Sequence, residues 1–448
     1  MPSSQSHPRG HPDDHGHGHD HPRDHGRGDS HDHGHVTVVA SRRARRIIAG
    51  FLVPALLVTL WGVWALWPGG ESRPVLESTA PGAAVVDVLV TATDVETEIG
   101  TQVEGRGADG ETVLVYIPAE YVDHVREGDR LRVVSLGPDL GGGGPTHVFM
   151  DFVRTPPMLA LALVMALLVV LVARLRGFAA LVGLGLSLAG LAVFTLPALL
   201  VGRPALATAL VSASAIMFVV LYLAHGFSAR TSTALLGTLA GVVLTAGIAA
   251  WATGTARLTG LSGEFSLDLL HLAPQMSLSG VLLCGFVLAG LGVLNDVTIT
   301  QASAVWELRA SAPLASRREV FSRGMRIGRD HIASTVYTVA FAYVGAALPL
   351  VLLVSMSDRP LLHSLTAGEL AEEIVRTLVG SIGLVLAIPA TTAIAAAVAG
   401  PGSVVGPAPG SDVGSAPDTD ADTDADTDAV VPVASWPPPS RSPRQGSN

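Results

Sequence analysis

Leu291-Gly292-Val293-Leu294-Asn295-Asp296-Val297-Thr298-Ile299-Thr300-Gln301-Ala302-Ser303-Ala304-Val305-Trp306-Glu307-Leu308 begins as an apolar run and ends among acids and amides. Read as continuous helix, Asp296, Thr300, Ser303 and Glu307 fall at i, i+4, i+7 and i+11, so their oxygen-bearing side chains share one face. An ionisable group on a helix in hydrocarbon costs roughly 2.5–3.5 kcal/mol on insertion scales. That face must therefore meet protein, water or an ion, if the chain around it lies in a membrane.

The flanking sequence says that it does. Apolar runs occur at residues 47–67, 158–173, 178–200, 205–223, 233–252, 275–299, 334–356 and 378–398. At about 1.5 Å per residue, runs of about 20 residues cross a hydrocarbon core of about 30 Å. The pattern predicts a mainly α, polytopic helical membrane protein of about eight transmembrane helices. Mean hydropathy is +0.46. Only 15% of residues are charged, against about 25% in soluble domains.

Basic residues set the orientation. Arg42, Arg43, Arg45 and Arg46 precede the first run, an uncleaved anchor at 47–67, and hold the N-terminus in the cytoplasm. Alternate loops then carry Arg174 and Arg176, Arg230, and the set Arg309, Arg317, Arg318, Arg323, Arg326 and Arg329. The opposite loops hold only Arg203, Arg257, Arg359 and Arg376, the last beside Glu369, Glu372 and Glu373. Both termini are expected in the cytoplasm of a bacterial cell, with the chain in the inner membrane. The tightest connection is 199–204, between the third and fourth runs.

Residues 68–155 read as a small extracytoplasmic β domain. Segments 85–91 and 112–117 alternate or are β-branched, Asp109-Gly110 is a turn, and Glu127-Gly128-Asp129 delivers a strand, as in an OB-like barrel. Residues 156–400 form a seven-helix membrane domain. Residues 1–46 and 401–448 are expected to be disordered tails, too poor in apolar side chains to offset ordering entropy. In the first, His15, His17, His19, His21, His31, His33 and His35 could gather Zn or Ni weakly through imidazole nitrogens. The second carries an Asp-Thr-Asp-Ala repeat without the Gly and terminal Glu of a calcium loop. The net charge of −10 reflects this acidic tail.

Further local signals concern packing. Gly183, Gly185, Gly190, Gly237, Gly241, Gly380 and Gly383 are small surfaces for close helix approach, and Pro349 and Pro389 predict kinks. Thr366 and Glu369 have the spacing of a capping box. Residues 315–330 read as a basic helix lying on anionic lipid, with Phe321, Met325 and Ile332 on one face. Cys284 is the only cysteine, so no intrachain disulfide is possible.

No His-Glu-x-x-His, Gly-x-Ser-x-Gly, phosphate-binding loop or dinucleotide fingerprint occurs, so no enzyme, no tightly held cofactor and no nucleic-acid partner is expected. Chemistry falls to Asn295, Asp296, Thr300, Gln301, Ser303 and Glu307, with His225, Arg329, Asp330 and His331 at helix ends. Two readings of the acids stand. Asp296 lines a polar path through the bilayer, or Asp296 and Glu307 sit at its cytoplasmic rim and pair with Arg309, Arg326 or Arg329. The first reading makes a permease. The second makes a membrane scaffold or accessory subunit whose β domain binds a membrane or extracytoplasmic protein partner.

Residues 292–297 with Ala302, Glu307 and Leu308 resemble the YibE/F family. So do Gly328-Arg329-Asp330-His331-Ile332, Ala342-Tyr343-Val344-Gly345-Ala346, 376–383, and 221–226 with 231–237. The resemblance covers about 47–400 and leaves out both tails. It implies a bacterial multi-pass inner-membrane protein of permease-like type, without implying a substrate or catalytic residues. Tyr337 stands where that pattern would carry a polar Asn.

Overall fold

A computed structural model of the protein describes residues 40–70, 82–97, 100–136 and 146–399. The His-rich metal-binding expectation, nearly all of the N-terminal tail and the whole acidic tail lie outside these residues.

Helix α1 (Arg42–Ala65) starts earlier than the anchor read from hydropathy. Ser41 caps it by accepting from the Ala44 N–H at 3.1 Å. Residues 42–46 are thus helix and not tail. Ala44, Ile48, Leu52, Thr59 and Gly62 form its buried stripe, while Phe51, Trp61 and Trp64 face outward.

The next segment is a closed five-stranded barrel of β1 (Ala84–Thr97), β2 (Gly100–Arg106), β3 (Thr112–Tyr116), β4 (Arg130–Ser135) and β5 (His147–Phe152), in the order β1-β2-β3-β5-β4. All pairings are antiparallel except β3 with β5. A helical turn, α2 (Ala119–Val122), sits between β3 and β4. This is the arrangement of an OB-type barrel. Period-2 alternation sends Val88, Val90, Val103, Val115, Leu131 and Val133 inside. Closure leaves no open edge.

Helix α3 (Thr155–Gly190) continues through a π-helical turn at Leu191–Thr195 into α4 (Leu196–Leu200). The run is 46 residues long, far more than one bilayer crossing of about 20 needs. It is broken at Arg174, whose φ is 55°. Gly177 permits the bend, because a Cβ there would overlap the Val169 carbonyl. None of the residues in its most apolar window is buried. The connection to α5 (Ala205–His225) is tight, as expected: the Gln275 amide donates to the Leu200 carbonyl at 3.1 Å and holds the turn.

Helices α6 (Ala229–Thr255), α8 (Leu278–Ser311) and α12 (Gly368–Val398) form the central trio, with α7 (Ser266–Leu272) in the connection before α8. Small residues allow the approach. At Gly237 of α6 an added Cβ would stand 2.9 Å from the Thr391 Cβ of α12. Gly241 and Gly383 are similarly crowded, whereas Gly185, Gly190 and Gly380 face open space.

Helix α9 (Arg317–Ala346) is capped by Ser316, which accepts from the Glu319 N–H, and bends by 70° into α10 (Leu348–Ser355) just before Pro349. The face of Phe321, Met325 and Ile332 packs on side chains of α8 and α12. That corrects the expectation of a lipid-lying apolar face: a protein surface covers it. After α11 (Leu361–Leu365), α12 begins without a capping box. Thr366 donates to the Leu362 carbonyl at 2.8 Å instead, and Ala367 occupies the cap position.

Among the described residues, six helices are long and apolar enough to cross a membrane, or seven if α9 and α10 count together as one span.

Candidate functional site

Helix α8 runs unbroken through the stretch with the acids, so the predicted shared face exists. It points away from the core. Asp296, Thr300 and Glu307 are exposed and Ser303 is half-buried. Asp296 has neither a hydrogen-bond nor an ion-pair partner among the described residues. Asn295 is half-buried, and its Oδ1 has no donor among the described residues.

Glu307 pairs with Arg230 of α6 at 2.6 Å. This corrects the expected partners Arg309, Arg326 and Arg329. Arg326 and Arg329 are exposed on α9, and neither pairs with an acid among the described residues. Arg309 turns inward, is only 2% exposed, and donates from Nη1 to the Ala315 carbonyl at 2.6 Å. It closes the turn from α8 to α9. Sequence alone could not choose Arg230, which lies 77 positions from Glu307; adjacency follows from α6 packing on α8.

The inward face of α8 carries a different polar set. Gln301 donates from Nε2 to the Gly324 carbonyl of α9 at 2.9 Å and to the Thr392 hydroxyl of α12 at 2.8 Å. The hydroxyls of Thr298 and Thr238 join α8 to α6. These residues are buried, and they tie helices together. A signal was available: Leu294, Thr298, Gln301 and Val305 continue one stripe of otherwise apolar helix.

Among the described residues a cavity of about 1340 Å³ stands open to the outside. It lies between α1, the C-terminal end of α5, the N-terminal end of α6 and the C-terminal half of α8. Arg45, Arg176, Arg230 and His225 line it, with Glu307 as the one carboxylate. Hydroxyl groups join them: Tyr222 bonds Ser232 at 3.0 Å, and Ser228 caps α6 by accepting from the Thr231 N–H at 3.0 Å. Apolar side chains complete the lining, the exposed Ala49, Val53 and Leu56 of α1 and the half-buried Phe218 of α5 among them. Of the residues singled out on α8, Ser303 and Glu307 reach the cavity, while Asn295, Asp296 and Thr300 do not.

This lining can hold an acid. Arg presents a planar fork that suits carboxylate or phosphate oxygens, and the N-terminus of α6 adds a favourable dipole. The Arg230–Glu307 pair is exposed, with side-chain exposures of 45% and 65%, so it contributes little to stability and is readily exchanged. No group of three or more His, Cys, Asp or Glu arranged to hold a metal occurs among the described residues.

A second ionic group lies near the start of α12. Arg376 and Glu373 pair at 2.7 Å, and the guanidinium stands 5.6 Å from the centre of the Phe286 ring. Glu372 beside them is buried. The arrangement joins α12 to α8 and lies outside the lining of that cavity.

Among protein families, the one described as YibE/F-like protein matches residues 161–401. Neither the curated proteins nor the solved structures contain a match to the chain.

Proposed function

The chain belongs to the YibE/F-like family, and on that premise we propose that it is a permease-like membrane protein whose solute site is the cavity bounded by α1, α5, α6 and α8. The observation that carries this reading is the composition of the cavity lining among the described residues: three arginines, a histidine and one carboxylate, contributed by α1, α3, α5, α6 and α8.

In this reading the chain crosses the inner membrane of a bacterial cell eight times. The break at Arg174 divides the 46-residue run into two crossings, and the bent pair α9 and α10 makes one. The arginine-bearing ends, with the cavity and both termini, face the cytoplasm, and the barrel lies outside. A solute acid would displace Glu307 from Arg230. The role is binding and passage, without enzymatic chemistry.

Asp296 is exposed on α8 and does not reach the cavity. Asp296→Asn is therefore expected to leave transport unchanged. Loss of transport at normal abundance would restore Asp296 as part of the path.

The test is flux into proteoliposomes for a panel of inorganic phosphate, sulfate, short carboxylates and fluorescent phospholipids. At least one class should move, and Arg176→Gln with Arg230→Gln should slow it about tenfold. A scaffold is the second reading. Val85, Leu89, Leu114 and Met150 stand exposed on the outside of the barrel and could meet a protein partner. It would be favoured by a partner that copurifies and is lost on deletion of residues 71–155, with no flux for any solute.

A further inference from the structure

The cavity is graded along the bundle axis. On α1, Arg45 lies about 16 Å from Leu56 along the helix, and the exposed apolar Ala49 and Val53 fall in the interval. On α5, the chain passes from Phe218 through Tyr222 to His225 at the helix end. On α8 it passes from Ile299 through Ser303 to Glu307. All three helices carry apolar side chains toward one end of the cavity and ionic groups at the other, and α5 and α8 place hydroxyls between them. Arg176, at the break of α3, and Arg230, at the start of α6, add their charge at the ionic end.

A small inorganic anion matches only half of this surface. It would leave the exposed Val53, Leu56 and Val219 uncovered, with no gain from apolar burial at about 25 cal/mol per Å². A cation would meet three arginines and one carboxylate. A neutral apolar molecule would leave the guanidinium groups at the ionic end without a counter-charge. One ligand chemistry satisfies both ends: an acidic headgroup joined to a hydrocarbon chain.

We infer that the cavity binds an anionic amphiphile, a phospholipid bearing a phosphate headgroup and no compensating amine. The phosphate sits among Arg45, Arg176 and Arg230, and an acyl chain lies along the exposed Ala49, Val53 and Leu56. Glu307 is the internal competitor. Its carboxylate occupies Arg230 at 2.6 Å until the phosphate takes that place. This assigns a substrate class to the permease site, and as a transport statement it rests on the function proposed above; as a binding statement it does not.

The test is native mass spectrometry of the full chain in detergent, titrated with phosphatidylglycerol, phosphatidylcholine of the same acyl chains, and glycerol phosphate. Phosphatidylglycerol should bind about tenfold more tightly than phosphatidylcholine. Glycerol phosphate at millimolar concentration should compete poorly. Arg176→Gln with Arg230→Gln should remove the preference. Glu307→Gln, a near-isosteric change on an exposed side chain, should tighten phosphatidylglycerol binding several-fold, about two to five times, by releasing Arg230. Equal binding of the two lipids, an unaltered preference in the double variant, or a Glu307→Gln variant that binds no better would overturn the inference. So would glycerol phosphate binding as tightly as the lipid, which would point to a free phosphate-bearing solute. Fluorescent phosphatidylglycerol in proteoliposomes separates the two proposals. Selective binding without movement across the bilayer removes the permease reading and keeps the site. Movement of inorganic anions without lipid selectivity keeps the permease and removes the amphiphile.

Discussion

Gly237 shows how narrowly single residues fix the core. The methyl group of Gly237→Ala would overlap the whole Thr391 side chain, so α6 and α12 must move apart. The cost should be about 1–3 kcal/mol, read as a lower melting temperature in detergent; an unchanged melt would mean that the helices are less tightly held than described. Gln301→Leu removes the donor to the Gly324 carbonyl and the Thr392 hydroxyl. It should cost about 1–3 kcal/mol by the same measurement, because both acceptors are buried. The acids of α8 behave differently. Asp296 and Glu307 are exposed, so their charge costs the fold little, and the sequence pattern that made them conspicuous says nothing of which way the helix is turned. A helix with polar groups on two faces has no unique inward side, and only the neighbours choose one. Residue spacing therefore made the Asp296–Glu307 face legible, while the partner Arg230 and the cavity were not.

At the scale of elements, the barrel is the part whose periodicity speaks most plainly. Alternation in 85–91 and 112–117 and the turn at Gly128 foretold strands that the structure extends and closes. The parallel pairing of β3 with β5 was not legible, since it joins segments about 30 positions apart and depends on the path taken through α2. His147 begins β5, and partial burial pushes its imidazole below the ordinary histidine value. A histidine held neutral by the fold favours folding above the ordinary range. Below about pH 6.5 the unfolded chain takes up the proton more readily, so stability falls as pH falls. Amide-exchange protection of β4 and β5, corrected for intrinsic rates, should decrease between pH 8 and pH 5.5, and His147→Gln should remove that part of the pH dependence. Helix ends were read less well. Thr366 and Glu369 have the spacing of a capping box, but Thr366 belongs to the end of the preceding turn and its hydroxyl serves Leu362.

For the whole molecule, the proposed eight crossings depend on the break at Arg174. Leu175→Cys should be labelled by an impermeant maleimide from the cytoplasmic side only, and the native Cys284 is a quiet background because it is buried. Labelling from the outside alone, or none in an unfolded control-positive protein, would require α3 and α4 to be counted differently. Hydropathy determined by itself that the protein is helical and membrane-embedded, since transfer free energy depends on composition and length. Residue types at fixed spacing likewise determined the barrel segments and the shared face of Asp296, Thr300, Ser303 and Glu307. Tertiary structure alone decided that this face looks outward, that Gln301 and Arg309 look inward, and that Arg45, Arg176, Arg230 and His225 surround one cavity. The physical reason is that helix orientation is set by complementary neighbours such as Gly237 against Thr391, and such complementarity between distant segments leaves no local periodicity in the chain.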